Sequence, residues 1–190
     1  NTVRVRTNDG NVPDRTRARY DSATLVSGTT DVYDVYKSGT SFERMFWSSR
    51  NVIEVLGANT SSVTSMYWMF ANCTALQSVS LFDTSKVTSM GDMFLYCIAL
   101  STVPLFDTSK VTDMSSMFSH CYALTNVPLF DTSKVTNMYE MFTYCGTLIT
   151  VPLFDTSNVT YMTRAFYNCL SVQGGALALY QQASTQTNPD

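Results

Sequence analysis

Five cysteines stand at Cys73, Cys97, Cys121, Cys145 and Cys169, each 24 residues after the one before. Thiols can pair as disulfides, bind zinc or act as nucleophiles, and an odd number in a secreted chain would suggest a disulfide framework with one left over. The spacing argues otherwise. A structural zinc site needs closely paired ligands, and the single histidine, His120, has no partner histidine. Each cysteine closes an apolar stripe such as Met90, Met93, Phe94 and Cys97, so the favoured reading is a ladder of small buried thiols. Disulfides between neighbouring copies, which need Cα atoms within about 7 Å, are the alternative. A second row, Asp83, Asp107, Asp131 and Asp155, sits in Asp-Thr-Ser settings that lack the clustered oxygens of a calcium loop. It reads as turn chemistry, each carboxylate bonding the backbone two residues on, with Lys86, Lys110 and Lys134 offsetting repulsion. No nucleophile is paired with a base and no glycine-rich phosphate loop is present, so no catalytic residue, cofactor or metal is expected. Asn59, Asn72 and Asn158 match the glycan-acceptor pattern, yet Cys73 beside Asn72 belongs to the core stripe and modification is not expected.

The remaining chemistry is aromatic. Comparing the copies within the chain, columns that never change should be core or turn, and columns that vary should face outward. The outward columns hold Tyr67 and Trp68, Asp92, Ser116, Tyr139 and Glu140, and Arg164, and then Asn72, Tyr96, His120, Tyr144 and Asn168, with Tyr122 just beyond. Tyr67, Trp68, Tyr96, His120, Tyr122, Tyr139 and Tyr144 are the candidate ligand-binding residues. Rows of exposed rings offer apolar area with a polar tip to a sugar or a partner protein, and the competing reading is that they shield gaps between stacked copies. The small polar face of Ser101, Thr102, Thr125 and Asn126 could equally take an extended ligand.

These residues are positioned by a repeat. Residues 83–154 hold three copies of one 24-residue unit, each opening Asp-Thr-Ser-Lys-Val-Thr and closing Val-Pro-Leu-Phe. The i, i+3, i+4, i+7 spacing of Met90, Met93, Phe94 and Cys97 predicts a short helix over 88–97, capped by Thr88 or Ser89. The Leu-x-x-Leu-x-Leu spacing of 100–105 predicts a short strand in which Val103 and Leu105 alternate, shortened because Pro104 lacks an N–H. One unit alone buries too little to fold, so the copies must stack.

The motif Val-Thr-x-Met-x-x-Met-Phe-x-x-Cys-x-x-Leu-x-x-Val-Pro-Leu-Phe-Asp-Thr-Ser resembles the BspA-like leucine-rich-repeat surface proteins, in the branch described from mycoplasma lipoproteins, over about residues 40–175. The resemblance implies a solenoid used for surface attachment, found on bacterial cell-surface proteins and on tail-associated proteins of phages. It implies no catalytic residues. The expected fold is therefore an α/β repeat, a leucine-rich-repeat-like solenoid of about six coils over residues 40–175. A β-rich N-terminal cap over 1–39 and a capping helix with tail over 176–190 flank it. In the cap, Val3-Arg-Val5-Arg reads as an edge strand, with further strands at 23–26 and 32–36. Arg4, Arg6, Arg15, Arg17 and Arg19 could contact acidic sugars or phosphate and are read as solvated surface. A longer helix is expected over 174–183 as a lid.

The chain has 190 residues, 14% charged, with net charge −3. That balance does not fit a nucleic-acid footprint, and no apolar run approaches the roughly 20 residues of a membrane span. Beginning at Asn1 without a signal-peptide pattern, it reads as a processed or partial chain. The expected function is non-enzymatic recognition or adhesion, binding a host-cell surface protein or glycan from a bacterial surface protein or a phage tail. The alternative is a structural spacer or virion assembly protein contacting neighbouring virion or envelope proteins. Either places it outside the cell, on a bacterial surface or a phage virion.

Overall fold

Alternation of Val3 and Val5 with Arg4 and Arg6 builds the first strand, β1 (Thr2–Thr7), with both valines fully buried. In the computed structural model, which describes residues 1–173 and Ala178, β1 is not the edge strand its sequence suggests. It lies inside a five-stranded sheet with β2 (Ser22–Leu25), β3 (Val32–Tyr36), β4 (Val52–Asn59) and β5 (Ser78–Val79), in the order β2-β3-β1-β4-β5. It pairs antiparallel with both β3 and β4, while β4 and β5 are parallel. Its two arginines are fixed across the strands, Arg4 Nε to Asp34 at 2.7 Å and Arg6 Nη1 to Glu54 at 2.8 Å. The N-terminal strands thus continue the sheet that the first repeat begins.

The helix expected over 88–97 does not form, and neither do its counterparts. In an α-helix each interior N–H bonds four residues back within the helix. Here the N–H groups of Met90, Asp92, Phe94 and Tyr96 donate instead to Asp113, Ser115, Met117 and Ser119 of the next repeat, at 3.0, 2.7, 3.0 and 2.9 Å. The alternate N–H groups stay local and reach only three residues back: Met93 to Met90, Leu95 to Asp92, Cys97 to Phe94. Tandem turns place residues i, i+3, i+4 and i+7 inward much as a helix does, which is why the apolar spacing misleads. The fold is accordingly mostly β and turn with one open sheet, which corrects the expected α/β leucine-rich-repeat-like solenoid. The capping helix expected over 176–190, like the lid over 174–183, lies outside the described residues apart from Ala178.

The strand expected over 100–105 is also absent. Just after β5 the Ser80 N–H donates to the Val55 carbonyl at 2.9 Å. Later repeats carry Pro104, Pro128 and Pro152 at that position and have no donor to offer. Beyond β5 the column keeps only single contacts, such as the parallel bridge Asn126 to Thr150. Leu105 then turns out to solvent while Phe106 turns in. Leu81, Leu105, Leu129 and Leu153 are 63%, 58%, 60% and 68% exposed, although these four successive copies all keep leucine there.

Inside, like stacks on like. Phe46, Phe70, Phe94, Phe118, Phe142 and Phe166 form a continuous column with ring centroids 5.3, 5.7, 5.7, 5.6 and 5.3 Å apart. The five cysteines are free and buried. Each thiol is satisfied by a phenylalanine carbonyl of the preceding repeat, as in Cys97 to Phe70 at 3.2 Å and Cys145 to Phe118 at 2.9 Å. Burial pushes the Cys169 thiol up to about 11 and the other four higher still, so these groups stay protonated and unreactive. At each corner Asp83, Asp107 and Asp131 accept from the serine two residues on, through both its N–H at 2.9–3.0 Å and its hydroxyl at 2.6–2.7 Å. The hydroxyls of buried Thr84, Thr108 and Thr132 donate to the aspartate carbonyl of the following repeat at 2.8–2.9 Å.

Candidate functional site

The double turn sets the site through two backbone positions per repeat. Arg44, Trp68, Asp92, Ser116, Glu140 and Arg164 form one column of left-handed residues. Ser48, Asn72, Tyr96, His120, Tyr144 and Asn168 form the other, with all φ values between 49° and 62°. Only the aspartate, the asparagines and the histidine are residue types enriched there. The remaining side chains are held by the inter-repeat hydrogen bonds on either side.

Because neighbouring repeats are in register, side chains of the second column meet face to face. His120 is stacked between Tyr96 at 4.1 Å and Tyr144 at 4.7 Å, close to the ~4.7–4.9 Å spacing of adjacent strands. Tyr122 meets His120 edge-on at 5.9 Å, and Tyr167 meets Tyr144 edge-on at 5.6 Å. Tyr96, Tyr122 and Tyr144 are 42%, 47% and 37% exposed. Burial between the rings pushes the His120 imidazole below its ordinary range, with the charge of Glu140 acting against that, and Nδ1 is in hydrogen-bond contact with Ser119 Oγ at 2.9 Å. The middle of the stack is therefore neutral, flat and apolar, with phenol hydroxyls beside it.

Tyr67 and Trp68 belong to a second cluster. Trp68 packs against Trp47 at 5.1 Å, and the guanidinium of Arg44 lies 5.3 Å from the Trp47 ring and 5.2 Å from the Trp68 ring. Arg17 covers Trp47 at 5.2 Å. Tyr67 fits over Gly91, where an added Cβ would come within 2.8 Å of Asp113 Oδ2 and 3.2 Å of the Tyr67 ring. Burial holds the Asp92 carboxyl above the usual carboxylate range, the nearby Trp68 and Tyr67 donors acting in the opposite direction. A cavity of about 280 Å³ lined by Trp47, Trp68, Asn72 and Tyr96 joins this cluster to the stack.

Of the seven candidates, the structure brings Tyr96, His120, Tyr122 and Tyr144 into one stack and sets Tyr67 and Trp68 at its N-terminal end. Tyr139 stands apart, on a groove shared with Asp92, Ser116 and Tyr161. Sequence reasoning missed Trp47 and Tyr167. They share one column with Ala71, Leu95, Ser119 and Thr143, and an aromatic at each end of an otherwise non-aromatic column was the available signal. Among the described residues, no three His, Cys, Asp or Glu side chains come together as a metal site, and no helix is long and apolar enough to cross a membrane.

No curated protein and no solved structure matches the chain. A family profile does, over residues 40–148 and again over 98–182, so that nearly all of the repeat region is covered. The chain therefore belongs to the family described as Mycoplasma protein of unknown function, DUF285.

Proposed function

We propose that this chain is a non-enzymatic recognition module of the BspA-like kind, carried outside the cell on a bacterial surface protein or a phage tail, and that it binds a protein or glycan of another cell. The observation that carries this reading is the exposed stack of Tyr96, His120 and Tyr144. Flat rings held in register by the backbone present a rigid apolar strip with polar tips, which suits the C–H face of a sugar ring or the side chains of a partner at little entropic cost. Fluorescently labelled protein binds intact host cells in this reading, and Tyr96→Ala with Tyr144→Ala weakens that binding at least tenfold without changing the circular dichroism spectrum. Equal binding by the parent and the double variant overturns the assignment.

A second reading, a structural spacer or virion assembly part, draws on the exposed row of Leu81, Leu105, Leu129 and Leu153. An apolar row kept through four successive copies suits burial against a neighbouring protein or another copy. Defined oligomers at micromolar concentration, dispersed by Leu105→Ser with Leu129→Ser, together with no cell binding, would favour it.

A further inference from the structure

At the N-terminal end of the aromatic strip lies a groove of about 450 Å³ between the N-terminal strands and the first repeat. Arg19, Lys37 and Arg44 line it against a single carboxylate, Glu43. Arg19 is exposed, and its guanidinium is turned back onto the carbonyls of Arg17 and Ala18 at 3.1 and 3.3 Å. Among the described residues neither Arg19 nor Lys37 has a carboxylate within ion-pair distance. Arg44 is held by two tryptophan faces, its Nε is buried without a hydrogen-bond partner, and the nearest acid, Glu43, is 3.6 Å from that Nε. Serine and threonine hydroxyls of Ser38, Thr40 and Ser41 complete the lining. The chain as a whole is acidic, so this excess of cations is local.

We propose that this groove takes the anionic group of an acidic glycan whose neighbouring sugar rings run along Trp47, Trp68 and Tyr96. The proposal rests on the recognition reading above and adds to it the charge of the ligand and the end at which that charge sits. An anion accepts from guanidinium and ammonium donors that have few partners of their own, and such charge-assisted bonds are about twice as strong as neutral ones. Arginine spread on an aromatic face is pre-organised for this, because its donors remain free at the edge while its plane is held. Sugar rings then meet Trp47 and Trp68, the two rings that Arg44 packs on, within the 280 Å³ cavity they line. Carboxylate-bearing sugars and phosphodiester-linked polyols share the recognised chemistry, and the test separates them.

Isothermal titration compares four probes on the full chain: an oligomer of galacturonic acid, its carboxyl-reduced galactose counterpart, an oligomer of glycerol phosphate, and inorganic phosphate. The acidic oligomer of one source binds at least tenfold more tightly than the neutral oligomer, and more tightly than inorganic phosphate. Arg19→Gln with Lys37→Gln, both on the surface, removes about tenfold of that preference and leaves any neutral-oligomer binding unchanged. Tyr96→Ala weakens the two sugar oligomers alike. Equal affinity for acidic and neutral oligomers, or an acidic preference untouched by the double substitution, overturns the inference and leaves the recognition reading in place. If no oligomer binds, the inference also fails, and the host-cell binding assay decides the recognition reading separately.

Discussion

Tyrosine, tryptophan, arginine and glutamate are poor occupants of left-handed backbone, yet they fill the two positive-φ columns. The conformation costs each about 1–2 kcal/mol, and the hydrogen bonds to both neighbouring repeats hold it. Ser116, at φ 49°, has no side-chain hydrogen bond among the described residues to complicate a test. Ser116→Gly is expected to stabilise the fold by about 0.5–1 kcal/mol once the flexibility of glycine is counted, and Ser116→Val to cost about 1–3 kcal/mol. Urea unfolding measures both, and the reverse order would show that the turn is misassigned. Asp92 tests the same column through charge. Its carboxyl is raised by burial, so it holds a proton more readily folded than unfolded, and ionisation costs stability as pH climbs through the raised range. Asp92→Asn should therefore be more stable than the parent at pH 7, with the advantage gone below the ordinary aspartate pKa of about 4. Denaturation midpoints at the two pH values decide it.

Within one repeat, the apolar pattern read which side chains go inward, because Met, Phe and Cys at i, i+3, i+4 and i+7 face one side in a helix and in tandem turns alike. It did not read the hydrogen bonds. Whether the N–H groups of Met90, Asp92, Phe94 and Tyr96 close on their own chain or on the next repeat depends on a partner 23 residues away, which no local window contains. The aspartate corner was legible because its bond spans two residues. Leu105 was not: the Leu-x-x-Leu-x-Leu spacing assigned it to a strand, and the proline before it removed the ladder that would have kept the strand going. Leu100→Ala, at a fully buried site, should cost about 2–5 kcal/mol, whereas Leu105→Ala should change stability by about 0.5 kcal/mol or less. Similar losses at both would restore the strand. In the site, His120 and its tyrosines were found by their 24-residue spacing, whereas the joining of Trp47 with Arg44 and Trp68 required contacts between two columns.

For the whole molecule, the double turn of each repeat offers the next the same set of donors and meets the same acceptors. Removing residues 107–130 joins Phe106 to Asp131, which repeats the native Phe-Asp junction, and brings Met90 opposite Asn137 in place of Asp113. This deletion should fold with an unchanged circular dichroism spectrum and a lower unfolding temperature, since stability in such arrays is close to a sum over neighbours. Loss of amide protection in the flanking repeats would contradict it. The stack then closes with Tyr96 directly against Tyr144.

The one-to-one matching of rungs also makes length an adjustable property. A duplication of one unit by unequal recombination would insert a step of about 4.8 Å, the interval between adjacent strands, and every seam would still fit. Array length thus changes in whole steps through gene slippage alone, with neither the charged groove at one end nor the ring-bearing side rebuilt along the way.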